Sequence, residues 1–146
     1  MKRKKIKVKI KRIDYLPLPK YQTPDASGLD LYAAEDIIIK KKSFATLRTG
    51  IAIEIPKGYE AQVRPRSGLA KNYGIGILNS PGTIDADYRG EIMVILFNIS
   101  NKNFKIKKGE RIAQLVFSPV VKVEWLEVKE LKKSRRDKGG FGHTGK

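Results

Sequence analysis

Asn79-Ser-Pro-Gly-Thr-Ile-Asp-Ala-Asp-Tyr-Arg-Gly-Glu91 sets two carboxylates, an aromatic and tight turns between stretches that alternate apolar and polar residues. Alternation of that kind puts successive side chains on opposite faces, so the segment reads as a hairpin within a sheet protein. On the N-terminal side, Ile6, Val8 and Ile10 alternate with lysines, and Leu29, Leu31 and Ala33 repeat the pattern. Ala45–Arg48, Ile51–Ile55, Glu60–Arg64, Glu91–Ser100, Arg111–Ser118 and Val121–Val128 are further strand candidates. Turn signals at Pro24-Asp25, Pro56-Lys57-Gly58, Ser80-Pro81-Gly82, Asn101–Asn103 and Lys107-Lys108-Gly109 separate them. The only helical expectation is one turn over Ser67–Asn72. Short strands with frequent turns predict an all-β sandwich or barrel.

The 146 residues form one domain by size, enough to bury roughly 68 to 70% of the unfolded surface without covalent staples. With no cysteine and one histidine, His143, neither a disulfide framework nor a zinc site of ordinary composition can be built from one chain. No apolar run approaches the ~20 residues of a membrane helix, and no signal peptide is recognisable, so a cytoplasmic protein is expected. The formal charge of +16 suits either a nucleic-acid surface or a field that draws in a small polyanion. Much of it is local: Met1–Arg12 holds eight basic residues and no acid, and Lys129–Lys138 is a second cluster. Beyond Leu131 the composition turns to Lys, Arg, Gly and Ser, which divides the chain into a β domain over residues 1–131 and a flexible C-terminal arm over 132–146.

Several groups have the chemistry of a site. Arg66-Ser67-Gly68, after Pro65, offers a guanidinium fork, a hydroxyl and backbone N–H groups to phosphate oxygens. Asp85 and Asp87, two apart in a presumed strand, share a face, and one of two such carboxylates makes a general base. Asn79 has both a donor and an acceptor for the edge of a base, and Tyr88 is a flat surface for a sugar ring or an inward core aromatic. Gly140-Phe-Gly-His-Thr-Gly-Lys146 fits the opening of a Walker A loop by letter, but the chain has neither the Ser/Thr nor the helix that must follow. What remains is a glycine-rich arm in which Phe141 can stack and Arg136, His143 and Thr144 can hold phosphate.

In order and spacing, Ala26-Ser-Gly-Leu-Asp30, Pro65-Arg-Ser-Gly-Leu-Ala70, Gly82-Thr-Ile-Asp-Ala-Asp-Tyr-Arg-Gly-Glu91, Gly109-Glu-Arg-Ile-Ala-Gln114 and Arg136–Gly145 closely resemble the five motifs of the trimeric dUTPases. The resemblance covers nearly the whole chain from about Val8. It implies a jelly-roll-like distorted barrel, assembled as a homotrimer whose active sites are shared between subunits. It also implies hydrolysis of dUTP to dUMP and pyrophosphate with Mg²⁺ held by the triphosphate and water. Such an activity limits uracil incorporation into DNA and supplies dUMP for thymidylate synthesis. Asp85 matches the general base that activates water. Asn79 and the backbone at Thr83 and Ile84 match the uracil-reading hairpin, Tyr88 the ring on deoxyribose, and Met93 a neighbour of the base. Arg66, Ser67, Gly68 and Gln114 match phosphate contacts. Asp30 matches an acid behind the metal's water shell. Arg136, Phe141, Gly142, His143 and Thr144 match the closing arm, with Phe141 over uracil and His143 where many relatives have serine.

Two rivals stand beside this reading. A dCTP deaminase of the same fold needs a glutamate near the 4-amino group, and around Met93 only Glu91 is close. A basic β-barrel binding nucleic acid needs a stacking platform, for which the aromatics are few and scattered. The lysine-rich N-terminus follows no family motif and leaves a secondary nucleic-acid contact open.

Overall fold

The computed structural model describes residues 3–146; Met1 and Lys2 of the basic stretch lie outside the described residues. Among the described residues, ten strands and one short helix follow in the order β1 (Lys9–Arg12), β2 (Leu29–Tyr32), β3 (Ile37–Ile39), β4 (Ser43–Glu54), β5 (Tyr59–Arg64), α1 (Ser67–Tyr73), β6 (Ile75–Ile77), β7 (Gly82–Ile84), β8 (Glu91–Asn98), β9 (Phe104–Ile106) and β10 (Arg111–Pro119). One sheet runs β1-β4-β8-β6 and the other β2-β10-β5-β7, with β3 and β9 as a separate ribbon. All pairings are antiparallel. The result is the expected all-β, jelly-roll-like architecture.

Period-2 patterning decides what lies inside. Along β8, Ile92, Val94 and Leu96 are buried while Met93 between them is exposed. They join Leu31, Leu47, Ile112 and Leu115 in one branched-aliphatic core. Buried polar side chains are matched: Thr49 Oγ1 donates to the Ile92 carbonyl at 2.6 Å, and Asn98 Nδ2 donates to the carbonyls of Ile39 and Lys102 at 3.0 and 2.8 Å. No buried side-chain N or O lacks a partner among the described residues, as a low-dielectric interior requires.

Several elements differ from expectation. Ala45–Arg48 and Ile51–Ile55 are one continuous strand, because the intervening Gly50 takes φ +72° and the break is absorbed as an irregularity in the β4–β8 register. The Gly50 carbonyl accepts the N–H groups of Ile13 and Asp14 and so ties down the end of β1. The N-terminal alternation yields a strand only over Lys9–Arg12, with all four residues exposed. No strand forms over Val121–Val128 among the described residues, although its alternation suits one. All residues from Val121 to Lys138 are exposed, including Val121 at 87% and Trp125 at 90%. β3, β6, β7 and β9 have three residues each, too few for a period of two to register.

Candidate active site

Strand order puts the first cluster together. β10 lies between β2 and β5, and Gln114 stands opposite both Asp30 and Arg64. β5 then leads through Pro65 and Arg66 into α1, which starts at Ser67 and ends in a left-handed Gly74. Asp30, 8% exposed, has one oxygen 3.4 Å from Arg111 Nη1 and the other 3.9 Å from Arg66 Nε. Arg66 Nη1 also donates to the Arg111 carbonyl at 3.2 Å. Gln114 Nε2 donates to the Pro65 carbonyl at 3.0 Å and so holds the turn. A Cβ at Gly28 would come within 2.3 Å of Gln114 Oε1, so the glycine two residues before Asp30 is what lets that side chain in. One buried acid thus gathers two guanidiniums beside the exposed Ser67 and Gly68. Paired, inward-held forks of this kind suit a phosphate chain.

Arg111 was assigned no role from the sequence. The signal was its place in Gly109–Gln114, and the distance to Asp30 reveals its use.

The second cluster is the hairpin. β7 pairs with β5 through Gly82↔Val63, Thr83↔Gln62 and Ile84↔Ala61. Gly82 and Ile84 face inward, while Thr83 and Asp85 are exposed. Asp85 and Asp87 do not share a strand face: β7 stops at Ile84, and the Tyr88 N–H donates to the Asp85 carbonyl at 3.1 Å, which puts Asp87 on a turn. The two-carboxylate argument therefore fails, and Asp85 stands alone as the base candidate. Asn79 lies beside Gly82, its Nδ2 3.5 Å from where a Cβ would stand. Tyr88 Oη donates to the Glu91 carbonyl at 2.9 Å, and the ring lies so close over Gly90 that a Cβ there would be 2.4 Å from Oη. With 45% of Tyr88 exposed, this is a presented ring and not a core aromatic. Met93 is half-exposed on β8, in the other sheet.

Glu91, the one carboxylate that kept a deaminase in view, is committed elsewhere. Its Oε2 accepts from Arg48 Nε at 3.1 Å and its Oε1 from the Gly50 N–H at 2.9 Å. Arg48 also donates to Asp14 at 2.7 Å, and the two carboxylates, Glu91 foremost, push its pKa above the ordinary guanidinium value. With both oxygens engaged by an arginine and a backbone amide, Glu91 is not free to face a 4-amino group.

Within one chain the Asp85–Tyr88 part of the hairpin stands away from the corner. Asp85 follows the residue paired with Ala61 and so stands level with Glu60, while Arg66 lies beyond the other end of β5, roughly 20 Å away along the strand at ~3.3 Å per residue. No hydrogen bond or ion pair joins the arm to either cluster among the described residues, and its own bonds are local. Arg136 Nε donates to the Gly139 carbonyl at 2.7 Å, the His143 N–H donates to the Gly140 carbonyl, and Phe141 is fully exposed with φ +49°. Gly142 takes φ +83°, and Thr144 is exposed. Among the described residues no group of three or more His, Cys, Asp or Glu side chains could hold a metal ion.

An all-β sandwich with a double-arginine corner at one end of a strand and an exposed Asp-Tyr hairpin at the other defines a protein built to handle a phosphorylated ligand. The family model described as dUTPase matches residues 14–145, and the chain belongs to the dUTPase family. The deoxyuridine 5'-triphosphate nucleotidohydrolase of Nautilia profundicola is 56% identical over 142 residues, covering 97% of this chain and 100% of the relative. That of a Hydrogenobaculum species is 60% identical over 129 residues, 88% of this chain and 90% of the relative. Among solved structures, a mutant dUTPase of Staphylococcus bacteriophage 80alpha with dUpNHpp superposes with a TM-score of 0.88 at 26% identity, covering 95% of this chain and 98% of that one. A mutant dUTPase from phage phi11 of S. aureus, described with a structural Mg(II) ion, shares the fold with a TM-score of 0.80 at 21% identity, covering 88% of this chain and 100% of that one.

Proposed function

We propose that this protein hydrolyses dUTP to dUMP and pyrophosphate by attack of water on the α-phosphorus. The observation that carries the reading is the corner in which Asp30 draws Arg66 and Arg111 together, in a chain whose relatives are named for this reaction. Arg66, Ser67, Gly68 and Gln114 bind phosphate oxygens, and Asp85 takes the proton of the attacking water. Asn79 with the backbone at Thr83 and Ile84 reads uracil, so cytosine leaves their donors and acceptors mismatched in a desolvated pocket. Met93 borders the base. Tyr88 packs on deoxyribose, where a 2′-hydroxyl has no room.

The site is completed between chains of a homotrimer. Two observations support this: the corner and hairpin lie at opposite ends of β5, and the alternating apolar residues Val121, Val123 and Trp125 are left exposed, as a strand lacking its partner would be. Residues 132–146 form the arm that closes the site, with Arg136, Gly142, His143 and Thr144 on the phosphates and Phe141 over uracil. The donor set fits a metal carried by substrate and water, since the corner offers one hard carboxylate, Asp30, and that is shared with two arginines. When bound, Mg²⁺ neutralises charge on the triphosphate; Asp30 supports its water shell. Among the described residues no helix is long and apolar enough to cross a membrane; the cytoplasm is the proposed location. A secondary nucleic-acid contact through the N-terminus has less free charge than its sequence suggests. Arg3 pairs with Asp25, Lys9 pairs with Glu54, and Lys4 and Arg12 lie over the Tyr59 and Tyr15 rings, which leaves Lys5, Lys7 and Lys11 among the described residues.

Incubation with Mg²⁺ and each deoxynucleoside triphosphate in ¹⁸O-water is expected to release pyrophosphate from dUTP alone and to place the label in dUMP. Release of ammonia or orthophosphate, or label confined to pyrophosphate, contradicts the reading. Tyr88→Ala is expected to lower the ratio of dUTP to UTP specificity constants at least tenfold, on the order of one lost steric discrimination. An unchanged ratio would leave Tyr88 with no part in sugar selection.

A further inference from the structure

We infer that the phosphate corner continues into a basic trough in which Lys20 and Lys105 hold the terminal phosphates of the substrate and then the pyrophosphate product. This rests on the proposed reaction and extends it to two residues outside the five motifs. A groove of about 690 Å³ opens beside the corner, and Arg66, Arg111, Lys20 and Lys105 all line it. The Asp30 N–H donates to the Lys20 carbonyl at 3.2 Å, so the backbone that carries Lys20 is fastened to the acid that gathers the two arginines. Lys105 projects from the middle of β9, opposite Ile38 of β3. Neighbouring Phe104 lines the same groove and packs with Tyr73 of α1, ring centroids 5.0 Å apart, which steadies the wall from which Lys105 stands.

Neither lysine ammonium has a hydrogen-bond or ion-pair partner among the described residues, although both are exposed. Arg3, Lys9, Arg48 and Arg89, by contrast, are each paired with a carboxylate. Glu110 is the only acid lining the groove. Four cations, against Glu110 on the wall and Asp30 behind the two arginines, leave the concave wall net positive, a field that concentrates a polyanion and holds its distal phosphates. The α-phosphorus end of the chain then lies with Arg66 and Ser67, and the β- and γ-phosphates extend toward Lys20 and Lys105.

The test uses the full-length protein with Lys20→Met and Lys105→Met combined, the pair Lys20→Arg and Lys105→Arg, and a control Lys40→Met on the β3–β4 turn outside the groove. Calorimetry with inorganic pyrophosphate, which needs no turnover, is expected to show about tenfold weaker binding for the Met pair, with the Arg pair and the control near wild type. For dUTP, KM is expected to rise about tenfold with kcat within twofold, and the fall of kcat/KM with added salt to become shallower. Unchanged pyrophosphate affinity and unchanged KM overturn the inference. A fall in kcat with pyrophosphate binding intact overturns it too, because that marks a structural disturbance. If the wild-type protein binds pyrophosphate through these lysines but does not cleave dUTP, the trough stands and the proposed reaction falls.

Discussion

Asp85→Asn is expected to lower the turnover of dUTP by on the order of 10² to 10⁴-fold, the usual contribution of a positioned general base. Asparagine keeps the size of the side chain and a hydrogen-bonding oxygen but cannot accept the proton from water. Asp85 is exposed at the end of β7 and makes no ion pair among the described residues, so no folding interaction is lost with its charge. Thermal stability and the affinity for a non-hydrolysable analogue such as dUpNHpp should therefore stay near wild type, and the loss should fall on kcat. Turnover within a few-fold of wild type would remove Asp85 from the role of base. An equal loss in analogue affinity would make it a binding group instead.

Truncation before Ser134 is expected to be nearly as damaging to turnover and nearly silent in stability. From Lys132 onward the chain contributes nothing to the core, and its hydrogen bonds are local turns such as Asp137 N–H to Ser134 Oγ at 2.9 Å. Removing it should shift the thermal midpoint by a degree or two at most. The proposed role of Arg136 and Phe141 is to cover bound dUTP, exclude bulk water and hold the triphosphate in line, effects that exist only when the arm is docked. A loss of about 10²-fold or more in kcat/KM follows, and Phe141→Ala should reproduce part of it. Full activity without the arm contradicts closure, and a large drop in the midpoint would make the arm a structural strap.

The strands of the sandwich were legible where alternation ran for five or more residues, as in Glu91–Asn98 and Arg111–Pro119. It failed where other forces set the structure. The Thr49-Gly50 step resembles a strand break on paper, but an antiparallel pair absorbs a left-handed glycine as an irregularity. Val121–Val128 has the pattern of a strand but pairs with no strand among the described residues of its own chain, and pattern alone does not say where the neighbour comes from. In the site, Asp30, Arg66 and Gln114 were found through their motifs and stand together. Arg111 was overlooked because a guanidinium inside a strand reads as a solvated side chain until the buried acid beside it is seen. The Asp85–Asp87 pairing failed because a turn two residues long reverses the face on which a side chain lies. The gap between hairpin and corner is a matter of strand register, which no local pattern encodes.

That gap is the centre of the account, since on the proposed reading the active site is a property of the assembly. Mixing two inactive variants tests it most directly. Asp85→Asn spoils the hairpin, Arg66→Ala spoils the corner, and the two chains can be unfolded, combined in equal amounts and refolded together. If hairpin and corner come from different subunits, random assembly leaves about one site in four with both parts intact, so about a quarter of wild-type activity should appear in the mixture. If one chain supplied both parts, every site would carry one lesion, and activity no higher than that of the two variants refolded separately would contradict the account.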